Sequence, residues 1–138
     1  MLRLLSLTHQ FPSWLIGLAL GVLVLSSCDS SKREAMTALR ERGIPMNGPA
    51  LLRAVEDDDA EVLRLLLTAG VYSGHRDPQG RTPLYRAVEG GQLDAAWLLV
   101  DAEADVNAPG PGDVTPLAMA VVNGETALAE KLLQAGAR

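Results

Sequence analysis

Cysteine occurs once in this 138-residue chain and histidine twice, and phenylalanine, tyrosine and tryptophan together occur five times. One cysteine cannot close an internal disulfide, so packing must hold the fold. One cysteine and two histidines supply no zinc-type ligand set. Basic charge is also scarce: 12 Lys and Arg against 17 Asp and Glu give a formal charge of −5. A nucleic-acid binder would carry a basic stripe instead. With so few aromatic residues, the core must be built from leucine, valine and alanine. The apolar run Trp14 to Leu25 is twelve residues, short of the roughly 20 that a membrane-spanning helix needs.

Catalytic groups are equally thin. Beyond residue 28 the serines are Ser30, Ser31 and Ser73, and the one histidine is His75. Ser73-Gly74-His75 is too local for a nucleophile and base held by a scaffold, and loop polarity accounts for it. Glu56, Asp57, Asp58, Asp59 and Glu61 could attract calcium through oxygen ligands, or could simply favour a helix start through its dipole. Gly110-Pro111-Gly112 lacks the lysine and spacing of a phosphate loop and reads as a turn. No cofactor is implied, and the chain reads as a non-enzyme.

What is present is a period. Thr82-Pro83-Leu84 recurs as Thr115-Pro116-Leu117, and 115 minus 82 is 33. Gly91 then aligns with Gly124, Leu99 with Leu132 and Ala102 with Ala135. A degenerate earlier copy places Pro49 to Val55 on Thr82 to Val88, with Asp58 on Gly91. Fixed periods of this size mark stacked repeats. Each letter has a physical role. Thr caps a helix N-terminus, and Pro is tolerated in the first turn, where an N–H lacks a partner anyway. Leu84, Ala87 and Val88 share one helical face. Gly90-Gly91 ends that helix, and a second one spans roughly Gln92 to Ala102. Glu34 to Arg42 reads as a lone second helix stopped by Gly43.

This pattern resembles the ankyrin repeat. Asp77-Pro78-Gln79-Gly80-Arg81-Thr82-Pro83-Leu84 looks like the family's turn and first-helix start, and Ala104 to Ala108 looks like its closing stretch. Tyr85 and Ala118 replace the family's usual histidine, Glu103 replaces a helix-ending glycine, and Asp113 replaces the turn glycine, which predicts an irregular last finger. The implied fold is all-α: a solenoid of stacked helix-turn-helix repeats, about three plus an N-terminal half-repeat cap. The boundaries are 34–48 for the cap and 49–77, 78–108 and 109–138 for the repeats. The resemblance implies a protein partner, held by the turn fingers and the exposed side of the first helices. On this chain that selects Arg53, Glu56, Arg76, Pro78, Gln79, Arg81, Tyr85, Arg86, Glu89, Val114, Met119, Val122 and Asn123. Tyr85 with Arg76, Arg81 and Arg86 is expected to form its aromatic and basic centre. Trp97, on a second helix, is expected to pack or to lie on the back.

The start of the chain has a different character. Residues 1–27 carry Arg3, no acid and the apolar run, as a secretory signal does. Leu25-Ser26-Ser27-Cys28 resembles the lipobox of bacterial lipoproteins, which implies cleavage before Cys28, lipid on Cys28 and a short tether over 28–33. The alternative is an uncleaved anchor with a chance cysteine. Asp29 either favours inner-membrane retention, as in the enteric sorting rule it resembles, or is an ordinary polar residue. The processed chain, 28–138, would have 111 residues and a charge of 11 minus 17, or −6. The sequence thus reads as a monomeric, lipid-anchored, periplasm-facing binding module, with neutralisation of a toxin or support of an envelope enzyme as roles. A scaffold that assembles envelope proteins is the other reading. Mass spectrometry of the native N-terminus should find an acylated Cys28; an intact Met1, or an unmodified Cys28, would contradict the lipobox reading.

Overall fold

A computed structural model describes residues 28–138. Residues 1–27, and with them the expected signal peptide and most of the lipobox, lie outside the described residues. The first helix, α1, runs over 28–41 of what is described. It is followed by α2 (Gly48–Glu56), α3 (Ala60–Thr68), α4 (Pro83–Glu89), α5 (Leu93–Asp101), α6 (Pro116–Val122) and α7 (Thr126–Gln134). No strand occurs among the described residues. The helices pair within repeats as α2 with α3, α4 with α5 and α6 with α7. They stack between repeats as two layers, α2, α4 and α6 inside and α3, α5 and α7 outside.

Residues 28–33, read in the sequence as a tether, are helical and continuous with the cap helix. Arg33 donates to Asp29 at 3.0 Å one turn away, the spacing at which opposite charges support a helix.

The helix starts follow the sequence. Thr82 Oγ1 accepts from Tyr85 N, and Thr115 Oγ1 accepts from Ala118 N, each at 3.2 Å. In the degenerate copy Pro49 cannot do this, and Asn47 Oδ1 accepts from Ala50 N at 3.0 Å instead. The helix stops are also periodic. The N–H groups of Ile44, Val71, Ala104 and Ala137 return to the carbonyls of Leu39, Leu66, Leu99 and Leu132 at 2.9–3.0 Å. This closing turn needs a left-handed residue, and Glu103 supplies it at φ +59° where the neighbouring repeats use Gly70 and Gly136. Asp58, at φ +54°, does for the inner-helix stop what Gly91 and Gly124 do later. In the last finger Gly112 and Asp113 both have positive φ within a 3-10 turn, Pro111–Asp113. That finger is irregular, as its displaced glycine predicts.

The core is one continuous seam of Leu, Val and Ala. Leu39, Leu51, Leu63, Leu66, Leu84, Leu99, Leu128 and Leu132 are fully buried in it. Trp97 stands half exposed on α5, with Lys131 Nζ of α7 5.4 Å from its ring centre. Val88 is 0% exposed, whereas Val121, 33 residues later in the last repeat, is 65% exposed. Leu99 lies between neighbours on both sides of the outer layer. Leu99→Ala should therefore destabilise the domain by about 2–5 kcal/mol in denaturant melts. A change below about 0.5 kcal/mol, the range of surface positions, would mean that the register is wrong.

Candidate partner-binding face

The 33-residue register turns the inner helices into stripes. Arg53, Arg86 and Met119 occupy one position in three successive repeats, and Glu56, Glu89 and Val122 occupy another. The fingers project beside them. The stripe is charged at its N-terminal half and apolar at its C-terminal half, where Val122 is 80% exposed and Met119 packs partly against the core.

Finger 2 is built around Asp77, whose side chain is only 3% exposed. Its Oδ1 accepts from the backbone N–H groups of Gln79 and Arg81 at 2.9 and 2.8 Å. Its Oδ2 accepts from Arg81 Nε at 2.8 Å and Arg86 Nη1 at 3.3 Å. Burial alone would raise its pKa, but the hydrogen bonds and charge of Arg81, with the Gln79 N–H, hold it below the ordinary 3.8. Arg81 continues to Glu89 at 2.9 Å, and Arg86 continues to Glu56 of the previous repeat at 2.5 Å. Five charges thus form one network: Glu56, Arg86, Asp77, Arg81 and Glu89.

This overturns the expected basic centre. Arg81 and Arg86 are each 21% exposed at the side chain and already paired with two carboxylates apiece. With three acids and two guanidiniums the cluster carries a formal charge of −1. Arg76 is also committed: its Nη1 donates to the carbonyls of Gly80, at 2.5 Å, and Pro109, at 2.7 Å, tying finger 2 to finger 3. Tyr85 is a second correction. It is 3% exposed, covered by the third finger. Gly110 stands at the register of Asp77, and a Cβ there would meet the Tyr85 ring at 2.5 Å. The missing side chain of Gly110 is what admits the ring. Burial pushes the Tyr85 hydroxyl above its ordinary 10.0, and the Glu89 charge adds to this.

Of the other expected residues, Arg53, Glu56, Pro78, Gln79, Glu89 and Val122 are exposed, and Val114 is half-buried. Asn123 is exposed but donates to the Val88 carbonyl at 3.0 Å, locking α6 to α4. The acidic run is dispersed among local tasks. Asp59 caps α3 through Val62 N at 3.0 Å, Glu61 pairs with Arg42 at 2.7 Å, and Glu56 belongs to the network. Among the described residues no group of three or more His, Cys, Asp and Glu side chains could hold a metal ion. Ser73 lines a small cleft of about 100 Å³ with Arg76 and Thr82, whereas His75 rests against Gly48, so the two do not converge there. Cys28 is exposed at the start of the described chain. The residue that sequence reasoning missed is Asp77. Its signal was an acid four residues before Arg81, at the head of a turn.

A family model for ankyrin repeats in three copies matches residues 23–110 and again 51–138. The chain belongs to the ankyrin repeat family. No curated protein sequence matches it. Among solved structures, an ankyrin repeat domain from Acinetobacter baumannii is similar, with 32% identity and a TM-score of 0.61 over 64% of this chain and 48% of that one. This chain thus spans about half the length of that structure. Ankyrin repeats are protein–protein interaction modules, so the stripe and fingers are the face to consider for a protein partner.

Asp77→Ala should destabilise the ankyrin domain by about 2–3 kcal/mol, because two turn N–H groups and two guanidiniums lose an acceptor. The pH dependence follows from the lowered pKa. The contribution of Asp77 is complete above its unfolded value, near 3.8, and is lost as pH falls through the folded value. Urea melts at pH 7 and pH 3 should therefore show a larger acid loss for the wild-type chain than for Asp77→Asn. Equal losses would contradict the network.

Proposed function

We propose that the chain is a non-enzymatic, lipid-anchored ankyrin module that faces the periplasm as a monomer and binds one protein through its finger and inner-helix face. The observation that carries the binding reading is the Met119–Val122 end of the stripe. Val122 is a large apolar side chain left 80% exposed, beside charges that are already paired among themselves. An exposed apolar residue on a binding face supplies burial energy on association. The network beside it presents the outward carboxylates of Glu56 and Glu89, so the complementary partner surface is apolar with a basic flank. The anchor rests on the Cys28 motif and the leader before it. The roles proposed for it are neutralisation of a toxin or support of an envelope enzyme.

The test uses the full chain as bait in membrane extracts and then calorimetry with the captured protein. Val122→Glu should leave the helical spectrum and melting point unchanged and weaken capture at least about tenfold, or roughly 1.4 kcal/mol. Unchanged affinity would remove the apolar end of the stripe from the binding site.

A further inference from the structure

Among the described residues one place in the stack is unfilled. α1 closes as the outer helices do, with the Ile44 N–H on the Leu39 carbonyl, Arg42 just after it pairs with Glu61 of α3, and no inner helix precedes α2. One repeat later the same place is filled, because α2 lies against α4. There Thr82, Pro83, Ala87 and Ala95 are buried, and Arg86 is paired with Glu56 of α2. The residues 33 positions earlier are Pro49, Ala50, Ala54 and Val62, with Arg53 in the place of Arg86. Pro49 is exposed and Ala50 and Val62 are half-buried. Together with Ile44 they line a groove of about 380 Å³ along α2.

Arg53 makes no ion pair or hydrogen bond among the described residues, although its equivalent, Arg86, makes two ion pairs. Of the two carboxylates that meet Arg86, Glu56 comes from the neighbouring inner helix and Asp77 from the finger, where Ile44 stands 33 residues earlier. Neither has an equivalent beside α2 among the described residues, which leaves the groove of Ile44, Pro49, Ala50 and Val62 and an unpaired guanidinium together.

We propose that this groove takes an amphipathic helix of a protein partner in the place of the absent inner helix, with an acidic side chain set against Arg53. The chain itself supplies the template. α2 is nine residues long, presents Leu51, Leu52 and Val55 and carries Glu56 at its end. A partner helix of this kind would bury the groove and pair Arg53 as Arg86 is paired. Helix-in-groove recognition reads such spaced apolar anchors, and the charge fixes the register. Asp57 and Asp59 at the end of the groove disfavour a second acid beyond the first. The inference rests on the reading of the chain as a protein-binding module, but it uses a surface separate from Met119 and Val122.

The probe is a synthetic peptide copying residues 47–56 of the chain, titrated into isotope-labelled full chain in detergent micelles and followed by NMR. The expected shifts centre on Ala50, Arg53 and Ala54. Arg53→Glu should weaken binding at least about tenfold, roughly 1.4 kcal/mol, and a peptide with Glu56→Lys should recover it. Arg53→Gln, which keeps the stem and removes the charge, should move affinity in the same direction and serves if the reversal disturbs folding. No shifts in the groove would overturn the proposal, whether the peptide binds nowhere, binds the C-terminal end, or meets a groove already held by residues 1–27. Affinity unchanged by both Arg53 variants would overturn it too. Since Val122→Glu reports on the other face, either idea can fail while the other stands.

Discussion

Every inner helix here is held by the repeat beside it, and that contact is the constraint from which the rest follows. A seven-residue helix such as α4 (Pro83–Glu89) is far too short to be stable alone. It persists because Leu84, Ala87 and Val88 are buried completely between neighbours, because Thr82 caps its start, and because its stop recurs at the same register in each repeat. Ala87 and Ala120 keep the helix axes close. Side chains outside the core then add cross-links: Arg76 to the Pro109 carbonyl, Asn123 to the Val88 carbonyl, and Asn107 to the Gly136 carbonyl and Arg138 N–H. Stability is thus shared between nearest neighbours, as in other repeat arrays.

The same constraint explains how far the sequence could be read. A period reports which residues are equivalent. The Thr-Pro-Leu starts, the outer helices and the buried Leu66, Leu99 and Leu132 were therefore legible, and so was the irregular third finger, from one displaced glycine. A period does not report where equivalent side chains go when their neighbours differ. Tyr85 was read as surface because its register belongs to the exposed family position, yet its equivalent Leu52 is also buried. The deciding residue was Gly110, one finger away in sequence, whose lack of a side chain makes room for the ring. Arg81 and Arg86 were read as free charges because Asp77 was counted only as a turn residue. The helical state of 28–33 was missed because a polar, serine-rich stretch resembles a tether until an i,i+4 pair, Asp29 with Arg33, is noticed.

The paired network has a functional consequence. Charges that already satisfy one another contribute little extra attraction to a partner, because breaking them costs what new pairs return. They hold the finger in place instead. Binding energy must then come from what the array leaves uncommitted, which is apolar Val122 at one end of the stripe and Arg53 with its groove at the other. Ankyrin architecture accommodates both, since its scaffold positions repeat while the surface between them varies.

The central claim is that the third finger locks onto the inner helix of the preceding repeat, and the Gly110–Tyr85 contact tests it most directly. The measurement is a double-mutant cycle by denaturant unfolding. Gly110→Ala places a Cβ where the Tyr85 ring now lies, 2.5 Å away, and should destabilise the wild-type chain by about 1–3 kcal/mol through overpacking. In a Tyr85→Leu background, which copies Leu52 and removes the ring atoms at that contact, Gly110→Ala should cost less than about 0.5 kcal/mol. The same loss in both backgrounds would mean that Tyr85 does not sit beneath the third finger, and the account of how the repeats lock would fail.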